Sequence, residues 1–115
     1  MAEVFKNNNA VAGKAVTSSV QDLYAAPAGK TVIVLSLRVT NIDGSAADTV
    51  TVNVTDSSNT NIAHLASTIE VPADSTLELA GASKLVLEAT QKLRIVGAAA
   101  SGDLEAFVSV LEIDN

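Results

Sequence analysis

The chain has 115 residues, of which 48% are apolar but only 3% aromatic, so it has room for one domain with a core of Val, Leu, Ile and Ala. Seven basic against thirteen acidic residues give a net charge of −6, which disfavours nucleic acid and anionic membranes as partners. The absence of cysteine excludes disulfides and thiolate metal sites, and the scarcity of aromatic residues disfavours stacking platforms for sugars or bases.

The first 14 residues are expected to form an N-terminal arm, followed by a β-sandwich domain over residues 15–115. Val4, Phe5 and Lys6 stand together in this polar segment. Two interpretations are open: a frayed terminus, or an arm that contacts a neighbouring subunit through these residues with Phe5 as its anchor. No basic segment followed by an apolar one opens the chain, so no signal peptide is predicted. No apolar run is long enough for a transmembrane helix.

The stretch Thr31–Asn41 predicts a central strand, because most of its residues are β-branched or hydroxylated. It follows a Pro-Ala-Gly turn and a first strand over Ala15–Ala26, which two serines are expected to bend. The face of the central strand that carries Arg38 begins apolar and ends polar. Arg38 on that face is expected to pair either with a neighbouring strand or across a subunit interface. Strict alternation places four apolar residues on one face of the central strand: Ile33, Leu35, Leu37 and Val39.

The remainder of the chain consists of short apolar or alternating segments separated by turn residues. This pattern predicts an all-β protein, a single antiparallel β-sandwich or jelly-roll-like domain of about eight short strands. The segment Gly81–Gln91 is the nearest candidate for a helical turn. The predicted strands are Thr49–Thr55, Ile62–Ala66 with Thr68–Val71, Thr76–Ala80, Lys84–Glu88, Lys92–Val96 and Leu104–Ile113.

The closing strand, Leu104–Ile113, is apolar on both faces, which a chain of this size cannot easily cover by itself. One face carries Phe107 and Leu111, and the other carries Val108 and Val110. This favours a homo-oligomer, most economically a closed ring, in which Val108 is expected to contact a partner.

The residue types needed for catalysis or metal binding are sparse. His64 is the sole histidine, which excludes a metal site built on two imidazoles in one chain, and we expect it to be a strand residue at a rim or interface and not a general base for a serine. Asp43 and Asp48 share a loop and offer, at most, a weak Ca²⁺ site without the twelve-residue calcium-loop pattern. We therefore expect no enzyme activity, no catalytic residue, no metal and no cofactor.

Five segments occur in a familiar order: Tyr24–Thr31, Leu37–Asn41, Val71–Leu79, Lys84–Glu88 and Ser109–Ile113. Together they resemble small virion structural proteins of tailed bacteriophages. Those proteins typically show a Tyr-x-x-Pro turn into a strand, a Val-Pro-Ala-Gly-Ser-like turn before a Leu-rich strand, a Lys-Leu-Val-Leu-Glu segment and a Ser-Val-Leu-Glu terminus. The resemblance covers residues 15–113.

This chain departs from that pattern in two turns. Asp74 stands where the resembling proteins carry a Gly, and Ala89–Gln91 stands where they tend to have Gly-Asp. Because both positions lie in turns, we expect the departures to alter local loop shape and to leave the fold unchanged.

The resemblance implies a non-enzymatic virion component, most specifically a capsid decoration (cement) protein. Such a protein binds the major capsid protein on the shell surface and bridges its subunits, often as a homotrimer. It would be located in the virion after assembly in the host cytoplasm. A tail-, neck- or fibre-associated structural protein is the main alternative, and a host-receptor or glycan-binding module is a further one.

Overall fold

The computed structural model describes residues 3–7, 15–79, 84–99 and 102–115. Ten strands occupy these ranges, and the ranges contain no helix. No helix in them is therefore long and apolar enough to cross a membrane. The strands are β1 (Glu3–Asn7), β2 (Ala15–Val16), β3 (Gln21–Ala25), β4 (Lys30–Asn41), β5 (Asp48–Thr55), β6 (Asn61–Val71), β7 (Thr76–Glu78), β8 (Leu85–Leu87), β9 (Lys92–Gly97) and β10 (Leu104–Asp114).

The strands form two antiparallel sheets. The six-stranded sheet has the order β1-β10-β4-β7, with β2 also paired to β10 and β8 also paired to β4. The four-stranded sheet has the order β3-β9-β5-β6. The prediction of an all-β sandwich is confirmed, with about ten strands in place of the expected eight.

The core lies between the sheets and is almost entirely aliphatic. In β5, Val50 and Val52 are buried while Thr49 and Thr51 are partly exposed, as the alternating pattern predicts. The core also contains the aromatic side chain of Tyr24. Fully buried members from both sheets include Val16, Leu23, Val32, Val34, Leu37, Val39, Leu87, Leu93, Ile95, Leu104, Val108 and Val110.

The predicted first strand, Ala15–Ala26, is two strands. The chain bends at Ser18 and Ser19, as expected, but the bend carries it from one sheet to the other, so that β2 pairs with β10 and β3 pairs with β9. The two pieces predicted over residues 62–71 are instead one long edge strand, β6. Its pairing with β5 shifts register three times, and Thr68 adopts a positive φ of 51°.

The predicted faces of the central strand are wrong for its first half. The register of β4 on β10 shifts where Ser109 pairs with Ser36 but Val110 pairs with Val34, which leaves Leu35 as an extra residue. This bulge reverses the inside and outside of the strand. Val32 and Val34 therefore share the buried face with Leu37 and Val39, while Ile33 and Leu35 face outward.

Two turn positions take a backbone conformation that favours glycine. Asp74 has a φ of 58° and Thr90 a φ of 70°. Both residues lie in the two turns where the sequence departs from the Gly-containing pattern described above. The expected helical turn is wrong where it can be examined, since Lys84–Gln91 holds β8 and a turn; residues 81–83 lie outside the described ranges.

Part of the predicted arm is a strand: β1 pairs with β10 along Ser109–Ile113. Residues 1, 2 and 8–14 lie outside the described ranges. The division of the chain into an arm over residues 1–14 and a domain over residues 15–115 stays a prediction.

Candidate interaction surfaces

An apolar row crosses the outer face of the six-stranded sheet. Phe5 of β1 lies opposite Leu111 of β10, Leu111 lies opposite Ile33 of β4, and Ile33 lies opposite Val86 of β8. Directly opposite residues of antiparallel strands share a face, so the four side chains form one row about 14 Å wide. The two ends are the most open, since Phe5 is 73% and Val86 60% exposed. We call these four residues the apolar row.

The same face becomes polar toward one end. Arg38 of β4 lies between Phe107 of β10 and Glu78 of β7, and its Nε donates to Glu78 Oε2 at 3.1 Å. Beside the apolar row, a shallow depression of about 230 Å³ opens to solvent between Phe5 and Leu35. Lys6, Asn7 and Ser109 line this depression together with the apolar residues, so its surface is mixed in polarity.

A row in the same position on the four-stranded sheet is polar throughout. Asp22 of β3 lies opposite Arg94 of β9, Arg94 lies opposite Asn53 of β5, and Asn53 lies opposite His64 of β6. Arg94 Nε donates to Asp22 Oδ1 at 2.8 Å, and Lys92 Nζ lies 3.4 Å from Asp22 Oδ2. We call Asp22, Arg94, Asn53 and His64 the polar row.

A buried carboxylate connects the two sheets to β1. Glu112 of β10 is only 2% exposed. The hydroxyl of Tyr24, from the four-stranded sheet, donates to Glu112 Oε2, and Lys6 Nζ of β1 lies 3.0 Å from Glu112 Oε1. One carboxylate is therefore shared by three strands from both sheets.

These contacts shift both titrating groups. Burial raises the pKa of Glu112, but the hydrogen bond from Tyr24 and the ammonium of Lys6 outweigh it, and the pKa of this carboxyl falls below its usual value. Burial, followed by the hydrogen bond to Glu112, raises the pKa of the Tyr24 phenol well above its usual value.

The residues predicted to contact a partner fall into separate environments. Phe5 lies on the outer face, while Val4 and Lys6 lie on the inner side of the same edge strand. Arg38 pairs within the chain, which is the first of its two expected arrangements. Val108 is fully buried between the sheets, so its side chain packs in the core and has no surface to offer a partner.

The two loop aspartates are used by the backbone. Asp43 Oδ1 accepts hydrogen bonds from the amide and hydroxyl of Ser45, at 2.8 and 2.9 Å, and these bonds lower the pKa of Asp43. Asp48 Oδ1 accepts from the amides of Thr49 and Ala98, at 2.7 and 3.2 Å. No group of three or more potential metal ligands occurs within the ranges that the structure describes.

Sequence reasoning missed three members of the apolar row: Ile33, Leu111 and Val86. The sequence groups Leu111 with Phe107 on one face of the closing strand without indicating which face is outer, and the neighbours of Leu111 across the sheet depend on strand order and register. The usable signal was the two-sided apolar character of β4 and β10, which share the longest pairing in the sheet.

No family model matches this chain, and no curated protein matches it. Among solved structures, it is similar to a protein of the disulfide-linked pili that Bacillus endospore appendages form, with a TM-score of 0.53 and 15% identity over 98% of this chain and 85% of that one. It is also similar to part of a protein of the T13 viral particle of infectious bursal disease virus, with a TM-score of 0.52 and 13% identity over 97% of this chain. This chain spans only 31% of that viral protein. At these identities the likeness extends to the fold alone.

Proposed function

We propose that this chain is a non-enzymatic structural protein of a bacteriophage virion, and specifically a capsid decoration (cement) protein. In this role the outer face of the six-stranded sheet lies on the shell and bridges subunits of the major capsid protein. The outer face of the four-stranded sheet remains in solvent. The chain acts as a homotrimer on the virion surface after assembly in the host cytoplasm.

The observation that carries this proposal is the contrast between the apolar row and the polar row. A protein that sits on a surface needs one face that gains by leaving water and another that does not. The apolar row supplies the first face, with Phe5 and Val86 largely exposed. The polar row supplies the second, with the charge of Arg94 already compensated by Asp22.

The energetics favour docking through several copies. Complete burial of an apolar side chain such as Phe5 or Val86 contributes about 1.5–3 kcal/mol. One row therefore offers only a few kcal/mol, while association costs about 4–15 kcal/mol in lost translational and rotational freedom. A trimer that presents three such rows at once overcomes that cost through its high effective concentration.

The two similar structures support a role in assembly, since one comes from a pilus and the other from a viral particle. The pilus protein favours a second candidate function, that of a tail-, neck- or fibre-associated component. Its support is coverage: the likeness extends over 85% of the pilus protein but only 31% of the viral one.

The test is to purify virus particles from cells that produce this chain, and to measure the copy number of the chain by quantitative mass spectrometry and its position by cryo-electron microscopy. Hundreds of copies on the shell surface are expected for a decoration protein. A few to dozens of copies at the vertex or along a tail would overturn the decoration role in favour of the second candidate. Absence from particles would overturn both.

A further inference from the structure

Strand β1 differs from the other strands of five or more residues in how little of it is buried. It pairs with β10 through five consecutive positions without a register shift. None of its side chains is buried, and Val4 and Phe5 remain 40% and 73% exposed. Backbone pairing and the Lys6–Glu112 ion pair hold the strand, and little apolar burial resists its release.

The ion pair makes the place of β1 on β10 selective. Glu112 is buried, and Lys6 Nζ lies 3.0 Å from its Oε1. Removing β1 without replacement would leave a buried carboxylate that has lost its cation, which is unfavourable. A strand that brings a cation to the same register position keeps Glu112 compensated, and a second copy of this chain brings Lys6.

The chain between β1 and β2 is longer than the pairing within one chain requires. Asn7 and Ala15 pair with Ser109 and Glu105, which are four residues apart on β10. Four residues of strand span about 13 Å, whereas the eight residues from Asn7 to Ala15 can reach about 27 Å when extended. This surplus allows β1 to reach the β10 edge of an adjacent copy.

We propose that in the assembled protein β1 of one copy pairs with β10 of the next copy. Each exchange re-forms the same backbone pairing and the same Lys6–Glu112 contact between chains, so the exchange keeps the described contacts between β1 and β10. A head-to-tail exchange of this kind forms a ring when the rotation between copies closes and a filament when it does not, and the proposed trimer is the closed case.

The exchange completes the docking surface with a second chain. In the exchanged assembly, Phe5 of one copy stands beside Leu111, Ile33 and Val86 of the next. The apolar row is then composite, and a monomer with a displaced β1 carries only part of it. The strand exchange rests on the proposed function only in its claim that the composite row binds the shell. The exchange itself can be measured on the protein alone.

The absence of cysteine makes a direct test possible. Phe5→Cys with Leu111→Cys places two thiols on directly opposite residues of β1 and β10. Thr40→Cys with Glu105→Cys does the same on β4 and β10, two strands that belong to one chain in either arrangement. Opposite residues have Cα atoms about 4.5–5.5 Å apart, within the range of a disulfide.

Each full-length variant is oxidised both as concentrated protein and on particles, and then separated by non-reducing electrophoresis. With exchange, most of the F5C/L111C protein shifts from the monomer to covalent dimers and trimers, while T40C/E105C stays monomeric. If F5C/L111C does not fold or does not bind particles, Glu3→Cys with Ile113→Cys replaces it, since these residues are also opposite one another and lie outside the apolar row. A closed monomeric disulfide under both conditions overturns the exchange and leaves the proposed function standing.

Discussion

The two outer faces of the sandwich are built alike and differ in chemistry. Each carries a row of four directly opposite side chains across four strands, and one row is apolar whereas the other is polar. Both sheets have aliphatic inner faces, so the need for a core does not explain the difference. The apolar row contributes nothing to the interior of its own chain, which makes it the surface where a partner is expected.

The comparison depends first on the separation of inside from outside, and neighbouring residues of β10 test it most severely. Val108→Glu places an unpaired charge among fully buried aliphatic residues, and we expect it to cost about 4 kcal/mol or more and to abolish folding. Phe107→Glu on the outer face is the control, since Phe107 is 46% exposed, and the chain should stay folded. Circular dichroism and urea denaturation measure both. A folded V108E protein would contradict the assigned faces.

The contact between the sheets predicts a dependence of stability on alkaline pH. The pKa of Tyr24 is raised in the folded chain, so this residue stabilises the fold fully below about pH 10, the pKa of an exposed phenol, and loses that contribution as the pH rises further. The free energy of unfolding should fall by up to about 1.4 kcal/mol per pH unit above that value from this group alone.

Tyr24→Phe provides the control for that slope. It removes the titrating phenol but keeps the ring in the core, so the alkaline loss should be smaller by the contribution of this one group. Urea denaturation of both proteins from pH 8 to pH 11 makes the comparison. Equal slopes in the two proteins would contradict the raised pKa.

One ion pair on each outer face gives a smaller comparison. The Arg94–Asp22 pair is tight at 2.8 Å with the arginine side chain 21% exposed, whereas the Arg38–Glu78 pair spans 3.1 Å with its arginine 61% exposed. We expect Arg94→Ala to cost about 1 kcal/mol and Arg38→Ala about 0–0.5 kcal/mol, because exposed pairs are screened by solvent. Thermal unfolding at low and high salt measures both. A larger loss for R38A would contradict this ranking.

Much of the fold follows from local chemistry. Alternation locates β5, runs of apolar and β-branched residues locate β4 and β10, and the Pro- and Gly-containing turns separate the strands. The sequence is less informative about sheet membership. Ser18 and Ser19 indicate a bend, but the preference of β2 for β10 and of β3 for β9 arises only from packing.

The outward face of β4 shows why the candidate site was harder to predict than the fold. Apolar residues occupy both parities of its first half, so alternation cannot reveal that Leu35 is an extra residue in a bulge. Once the bulge is present, Ile33 moves from the predicted core to the outer face. The apolar row then depends on register across four strands, which no single segment encodes.

Binding to particles assembled without this protein tests the role of the apolar row most directly. Val86→Ser removes apolar area from the end of the row, and Asn53→Ser makes a matched change in the polar row. Val86 is 60% exposed, and its burial on docking is worth about 1.4 kcal/mol, so V86S should weaken binding about tenfold while N53S binds like the unmodified chain. Unchanged binding by V86S, or an equal loss with N53S, would contradict the assignment of the apolar row as the docking surface.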